Sequence, residues 1–170
     1  LNVNLSAVAL DPDRPEALLL DGKDDASPAS GTLSEMLAED INGYTNPIIK
    51  LNKEHADAIT LPNKNFTFDL NGNEAGDITI ADGNITIAYS SFGGSATSLT
   101  VNGGKAILNG GTFGSLTIDA SGTVEQNGAT ITGAATNNGT LATTNGTFNG
   151  GLTSSKTLTL GGGTFKGETA

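Results

Sequence analysis

Apolar and polar positions alternate in short bursts along this chain, and from residue 105 onward the bursts recur at a fixed spacing. Phe113, Ile131, Phe148 and Phe165 are separated by 18, 17 and 17 residues, and Ala106, Val124, Leu141 and Leu158 keep the same steps. A fixed short period marks a solenoid. Upstream the rhythm is looser: Phe66 to Ile85 is 19 residues and Ile85 to Ala106 is 21. The extra length predicts one protruding loop at 90–96. Pairs such as Phe66/Phe68, Ile78/Ile80, Leu99/Val101 and Leu116/Ile118 alternate with polar residues, so each burst turns one face inward and one outward. No single turn buries its apolar face alone. Stacked turns do, because each strand pairs with its equivalents above and below at about 4.8 Å. The pattern therefore predicts an all-β parallel coil, with the Phe113 series stacked inside and Thr112, Thr130, Thr147 and Thr164 stacked beside it outside. Gly111, Ala129, Gly146 and Gly163 keep the preceding corners small. An antiparallel meander is the competing reading, since Asn-Gly between strands is a strong hairpin signal. Hairpins give no reason for a register held over four copies.

The front of the chain follows other rules. Leu1–Ser6 alternates as a strand would, Asp11–Pro15 turns the chain, and Ala17–Leu20 predicts a second short strand. Residues 21–31 read as a polar loop, whose Asp21, Asp24 and Asp25 lack the spacing of an EF-hand calcium site. Thr32-Leu-Ser-Glu is a capping box, and Leu33, Met36, Leu37 and Ile41 share one face, so a helix is predicted over 33–41 and is stopped by Asn42-Gly43. Strands follow at 48–51 and 58–61. His55, the only histidine, falls in the polar link between them and reads as a surface residue. The organisation is a strand and loop segment (1–31), a capping helix with a first strand (32–58), and coil repeats (59–170).

Composition agrees with a coil built from small residues: 24 of 170 residues are Gly, and Trp and Cys are absent, which excludes disulfides and thiolate metal sites. No run of 18 apolar residues is present to insert in a membrane as a helix. No leader is visible, and a chain starting at Leu1 reads as a processed or cloned piece. The formal net charge of −10 opposes nucleic acid as a partner. Residues 1–82 carry fifteen acids and five bases, whereas residues 83–170 carry three of each, so the front half holds the whole net charge.

Thr32-Leu-Ser-Glu-Met-Leu-Ala, Ile49-Lys-Leu, Ile59-Thr-Leu-Pro and Phe68-Asp-Leu-Asn-Gly, followed by the Gly-Gly-Thr-Phe turns at 110–113 and 162–165, resemble the β-helix repeats of secreted, cell-wall-anchored surface proteins of gut bacteria. The resemblance covers roughly 32–170. It implies a right-handed parallel β-helix of the pectate-lyase-like class, an N-terminal capping helix over the open end of the coil, and an extracellular location at the cell surface.

The resemblance also implies an enzymatic option, because many such coils are polysaccharide lyases or glycoside hydrolases. A glycosidase needs two carboxylates across the scissile bond, within about 10 Å. Asp69, Asp77 and Asp82, on neighbouring turns, are the residues best placed for that work. Lyase chemistry on uronates also needs a base, and the one arginine, Arg14, lies outside the coil. Ser-His-Asp chemistry has only His55 to use, without a Gly-x-Ser-x-Gly elbow. Gly161–Thr164 is no phosphate loop, because no Gly-Lys-Ser/Thr closes it. The sequons at Asn4, Asn65, Asn84, Asn138 and Asn145 follow from a Thr/Asn-rich composition. Regular Thr rows could match an ordered water lattice, but the row Lys105, Thr123, Thr140, Thr157 is interrupted. The favoured reading is a non-enzymatic stalk or adhesin, without cofactor or metal, that binds a glycan or host protein. Tyr89 and Phe92 are its contact residues, and the last turn offers strand edges for end-to-end self-association.

Overall fold

The structure is a computed structural model and describes residues 13–22, 24–88 and 93–168. Leu1–Ser6 lies outside the described residues. The chain opens with β1 (Ala17–Asp21), β2 (Ala29–Gly31) and α1 (Leu33–Ala38). Each subsequent turn of the coil contributes strands to two parallel sheets. The first turn holds β3 (Pro47–Leu51) and β4 (Ile59–Leu61), the second β5 (Lys64–Asp69) and β6 (Glu74–Ile80), and the third β7 (Gly83–Ala88) and β8 (Ser95–Val101). The fourth turn has three strands: β9 (Lys105–Leu108), β10 (Thr112–Phe113) and β11 (Leu116–Ile118). So do the fifth, with β12 (Thr123–Gln126), β13 (Thr130–Ile131) and β14 (Ala135–Asn137), and the sixth, with β15 (Thr140–Thr143), β16 (Thr147–Phe148) and β17 (Leu152–Ser154). A last partial turn carries β18 (Thr157–Leu160) and β19 (Thr164–Phe165).

The first sheet runs β18-β15-β12-β9-β7-β5-β3-β1-β2, and every pair from β3 to β18 is parallel. The hairpin reading is thereby excluded, and the fold is a parallel β-solenoid. The predicted steps are the observed register. Phe66 pairs with Ile85, Ile85 with Ala106, Ala106 with Val124, Val124 with Leu141, and Leu141 with Leu158. In the second sheet Phe113, Ile131, Phe148 and Phe165 stack, with Thr112, Thr130, Thr147 and Thr164 beside them. The Phe148 and Phe165 rings lie 5.2 Å apart at 3°.

Two expectations are corrected. The protruding loop does not extend to residue 96: Ser95 and Ala96 belong to β8, and Ala96 is buried in the same inward row as Phe113. The helix is also shorter than its apolar pattern. Its capping box is formed, but it ends at Ala38, and the Lys64 ammonium donates to the carbonyls of Leu37 (2.8 Å) and Glu39 (2.7 Å). A charge from the second turn thus satisfies carbonyls that the helix leaves free. Leu33 and Met36 are buried, while β1 joins β3 antiparallel with Leu19 opposite Ile49. This end of the coil is closed by β1, β2 and α1 together.

Below the third turn the second sheet divides. β8 pairs with β10 through Ser95 and Ala96, and with β11 through Leu99–Val101. The break falls at Gly114, where an added Cβ would sit 2.2 Å from the Thr97 carbonyl oxygen. Only a residue without Cβ lets the later turns fold this tightly. The inward row of the first sheet changes character in the same region: Ile49, Phe68, Ile87 and Leu108 are followed by Gln126 and Thr143. Both are buried, as is Asn137 in the second sheet. Gln126 exchanges hydrogen bonds with the Ala129 backbone (2.8 and 3.0 Å), and Asn137 donates to Thr157 O (2.8 Å) and accepts from Gly139 N–H (3.1 Å). Thr143 donates to Gly162 O. These amides replace apolar packing with fixed corners, at no cost in unpaired polar atoms. In the last turn Leu160 is 51% exposed. Among the described residues, no helix is long and apolar enough to cross a membrane.

Gly104 tests the corner geometry. Its φ is +63°, and an added Cβ would meet the Gly83 carbonyl oxygen at 2.2 Å. Gly104→Ala is expected to destabilise the coil by roughly 2–4 kcal/mol, from left-handed strain and overpacking together. Chemical denaturation checks this, and a loss below about 0.5 kcal/mol, the size of an ordinary surface substitution, contradicts the stacking described.

Candidate functional site

The three candidate carboxylates sit on different parts of the coil. Asp69 ends β5 in the first sheet, and its Oδ1 accepts from the Asn71 N–H (2.8 Å). Asp77 lies in β6 of the second sheet and accepts from Ser98 Oγ (2.7 Å). Asp82 occupies the corner between β6 and β7, accepting from Gly83 N–H (2.8 Å) and Asn63 Nδ2 (3.3 Å). Tyr89 and Phe92 lie outside the described residues. The loop read over 21–31 is shorter, because Asp21 ends β1 and Ala29–Gly31 form β2, and around it Asp21 and Asp25 serve the backbone. Asp25 accepts from the N–H groups of Asp21 (3.0 Å) and Ser27 (2.9 Å), bonds that hold its pKa below the usual aspartate value. Asp21 accepts from Thr45 N–H (2.9 Å) and Asn46 N–H (2.8 Å).

His55 is not a surface residue. It forms a parallel bridge with Ala75, and so begins the inward row that continues through Ala96 to Phe113. Its Nδ1 meets Glu16 Oε1 at 2.5 Å, and the two side chains are only 19% and 20% exposed. The other oxygen of Glu16 accepts from Leu33 N–H (2.8 Å), the first amide of α1. One carboxylate therefore ties the approach to β1, the start of α1 and the first turn. Burial pushes the Glu16 pKa up, but the Leu33 amide, the His55 contact and the charge of Lys53 outweigh it, and the net shift is downward. A shallow hollow of about 350 Å³, lined by Leu33, Ser34, Leu37 and Ile59 among others, opens beside His55. The 39-residue separation of Glu16 and His55 left no local signal to read.

Outside the coil, register turns single residues into rows. Thr60, Thr79, Thr100, Thr117, Thr136 and Thr153 pair in unbroken succession along the second sheet. The row chosen from sequence, Lys105–Thr123–Thr140–Thr157, is preceded by Asn84, so it is interrupted as expected, but the six-threonine row is not. Near the starts of strands and at the corners, polar side chains bond to their equivalents one turn away. Asn84 Nδ2 donates to Asn65 Oδ1 (3.1 Å), Asn127 Nδ2 to Asn109 Oδ1 (3.1 Å), and Ser155 Oγ to Asn138 Oδ1 (2.9 Å).

Two further hollows, of about 460 and 260 Å³, lie where the segment after α1 crosses the first sheet, and they share Thr45, Pro47 and Asn65. Neither was foreseen, because their walls come from segments about twenty residues apart. Comparison with protein-family models, with curated proteins and with solved structures found no match to this chain.

The Glu16 arrangement predicts an acid-sensitive cap. A carboxylate whose folded pKa is depressed contributes stability above its unfolded pKa, and loses it as pH falls through the folded value. The loss falls below pH 4.5, the ordinary glutamate value. Glu16→Gln should lower stability at pH 7 by about 1–2 kcal/mol, the scale of a charged hydrogen bond. The deficit relative to the native chain should shrink at pH 3, as followed by thermal melting. An equal deficit at both pH values contradicts the assignment.

Proposed function

We propose that this chain is a non-enzymatic, extracellular β-solenoid module of a bacterial surface protein, serving as a stalk or adhesin that binds a glycan or a host protein. The observation that carries the reading is the six-threonine row on the second sheet, an uncharged surface of constant repeat. Parallel pairing holds each hydroxyl about 4.8 Å from the next, so the coil is a stiff spacer and a regular polar surface at once. The zero net charge of residues 83–170 suits weak, hydroxyl-rich partners better than charged ones. The separation of Asp69, Asp77 and Asp82 between two sheets and a corner supports a binding module over a hydrolase, which sets a carboxylate pair across one bond. End-to-end self-association is part of the same proposal, with the half-exposed Leu160 of β18 as its contact.

A screen of the purified chain on a glycan array with mucins and matrix proteins tests the reading. Specific binding without turnover is the expected result. Release of sugar fragments from a polysaccharide panel, lost in Asp82→Asn, would overturn it in favour of a carbohydrate-active enzyme. Sedimentation of the same preparation reads the self-association, which Leu160→Lys should reduce; a mass unchanged by that substitution removes this part of the proposal.

A further inference from the structure

The two hollows that share Thr45, Pro47 and Asn65 form one groove, bounded by the 42–47 segment and by the outward residues of β5 and β7. We infer that this groove is a binding site for a short neutral oligosaccharide; the inference rests on the glycan-binding arm of the proposed function and gives it a place. The chemistry of the walls selects the ligand class. Asn42, Asn63 and Asn65 line the larger part, and Asn65 and Asn84 the smaller. A side-chain amide carries a donor and an acceptor side by side, which matches the paired hydroxyls of a sugar. Tyr44 supplies a ring in the same hollow and packs against the core, so it is presented without a large ordering cost.

The groups are also fixed before any ligand arrives. Asn65 Oδ1 accepts from both the backbone N–H and the side-chain Nδ2 of Asn84, at 3.1 Å each, which sets the amide's orientation and turns its own NH₂ away from that bond. The rim is held by the Asp21 carboxylate through Thr45 N–H and Asn46 N–H. Lys64, at the base, is anchored to the carbonyls of Leu37 and Glu39. Groups fixed in advance spare the ordering cost of binding a small ligand. Charge narrows the choice further. Apart from Asn84 and Thr86 the lining comes from residues 1–82, which hold ten more acids than bases, and its one charged side chain, Lys64, is engaged by backbone carbonyls, so the surrounding field disfavours uronates, sialylated and sulfated glycans and leaves neutral ones unaffected.

The test compares the native chain with Thr45→Trp and Asn65→Ala on an array of neutral, sialylated and sulfated oligosaccharides, with Ser121→Ala, an exposed residue of the corner between β11 and β12, as a control away from both the groove and the threonine row. Thr45 and Asn65 are exposed, so both variants should fold, and thermal melting verifies this. Neutral oligosaccharides should bind the native chain and the control equally. Thr45→Trp, which fills the junction of the two hollows, and Asn65→Ala should each weaken binding at least about ten-fold. Neutral glycan binding untouched by both substitutions overturns the site and leaves the glycan reading standing. Preference for sialylated or sulfated glycans overturns the ligand class. No glycan binding at all overturns both this inference and the glycan arm it rests on.

Discussion

In-register pairing between successive turns is the constraint on which the molecule depends. A coil strand has no partner in its own turn, so its backbone groups are satisfied only by the turns above and below. Once the register is set, like stands on like at many positions: Phe148 on Phe165 inside, Thr117 on Thr136 outside, Asn127 on Asn109 at a corner. Glycine enters where the turns approach too closely for a Cβ, as at Gly114 beneath the Thr97 carbonyl. The inward amides obey the same constraint. Gln126 and Asn137 are tolerated in the core because each closes a corner with its own donor and acceptor.

The repeat was legible because inward positions must recur at the turn length, and Phe113, Ile131, Phe148 and Phe165 are large enough to make the recurrence visible. The six-threonine row was as regular but harder to find, because Thr occurs on every face of the chain and only the pairing says which threonines align. Gln126 was not legible as a core residue: its side chain reads as solvated until the Ala129 corner is in place. Glu16 and His55 escaped for a different reason. Their contact crosses from the N-terminal segment to the first turn, and Glu16 lies outside the repeat. The same is true of the groove, whose Tyr44 and Asn65 walls are brought together only by folding.

A division of labour follows from these positions. Turns four to six are nearly uncharged and regular, and they supply length and stiffness. The departures from the repeat collect at the other end, where α1, β1 and the first turns meet. There Asp21, Asp25 and Glu16 accept from backbone amides, Glu16 ties the cap to the first turn, and the 42–47 segment borders a polar groove. Individuality is placed where the repeat gives way, and the proposed recognition groove lies there too.

The stacking itself can be measured directly by pulsed electron paramagnetic resonance on spin labels placed in the threonine row, since the chain has no native cysteine. Thr60 and Thr153 stand five turns apart in this row and Thr79 and Thr153 four. At about 4.8 Å per turn the two pairs should be separated by roughly 24 and 19 Å, the longer exceeding the shorter by one turn. Distances that do not grow with the number of turns between the labels would contradict the in-register coil.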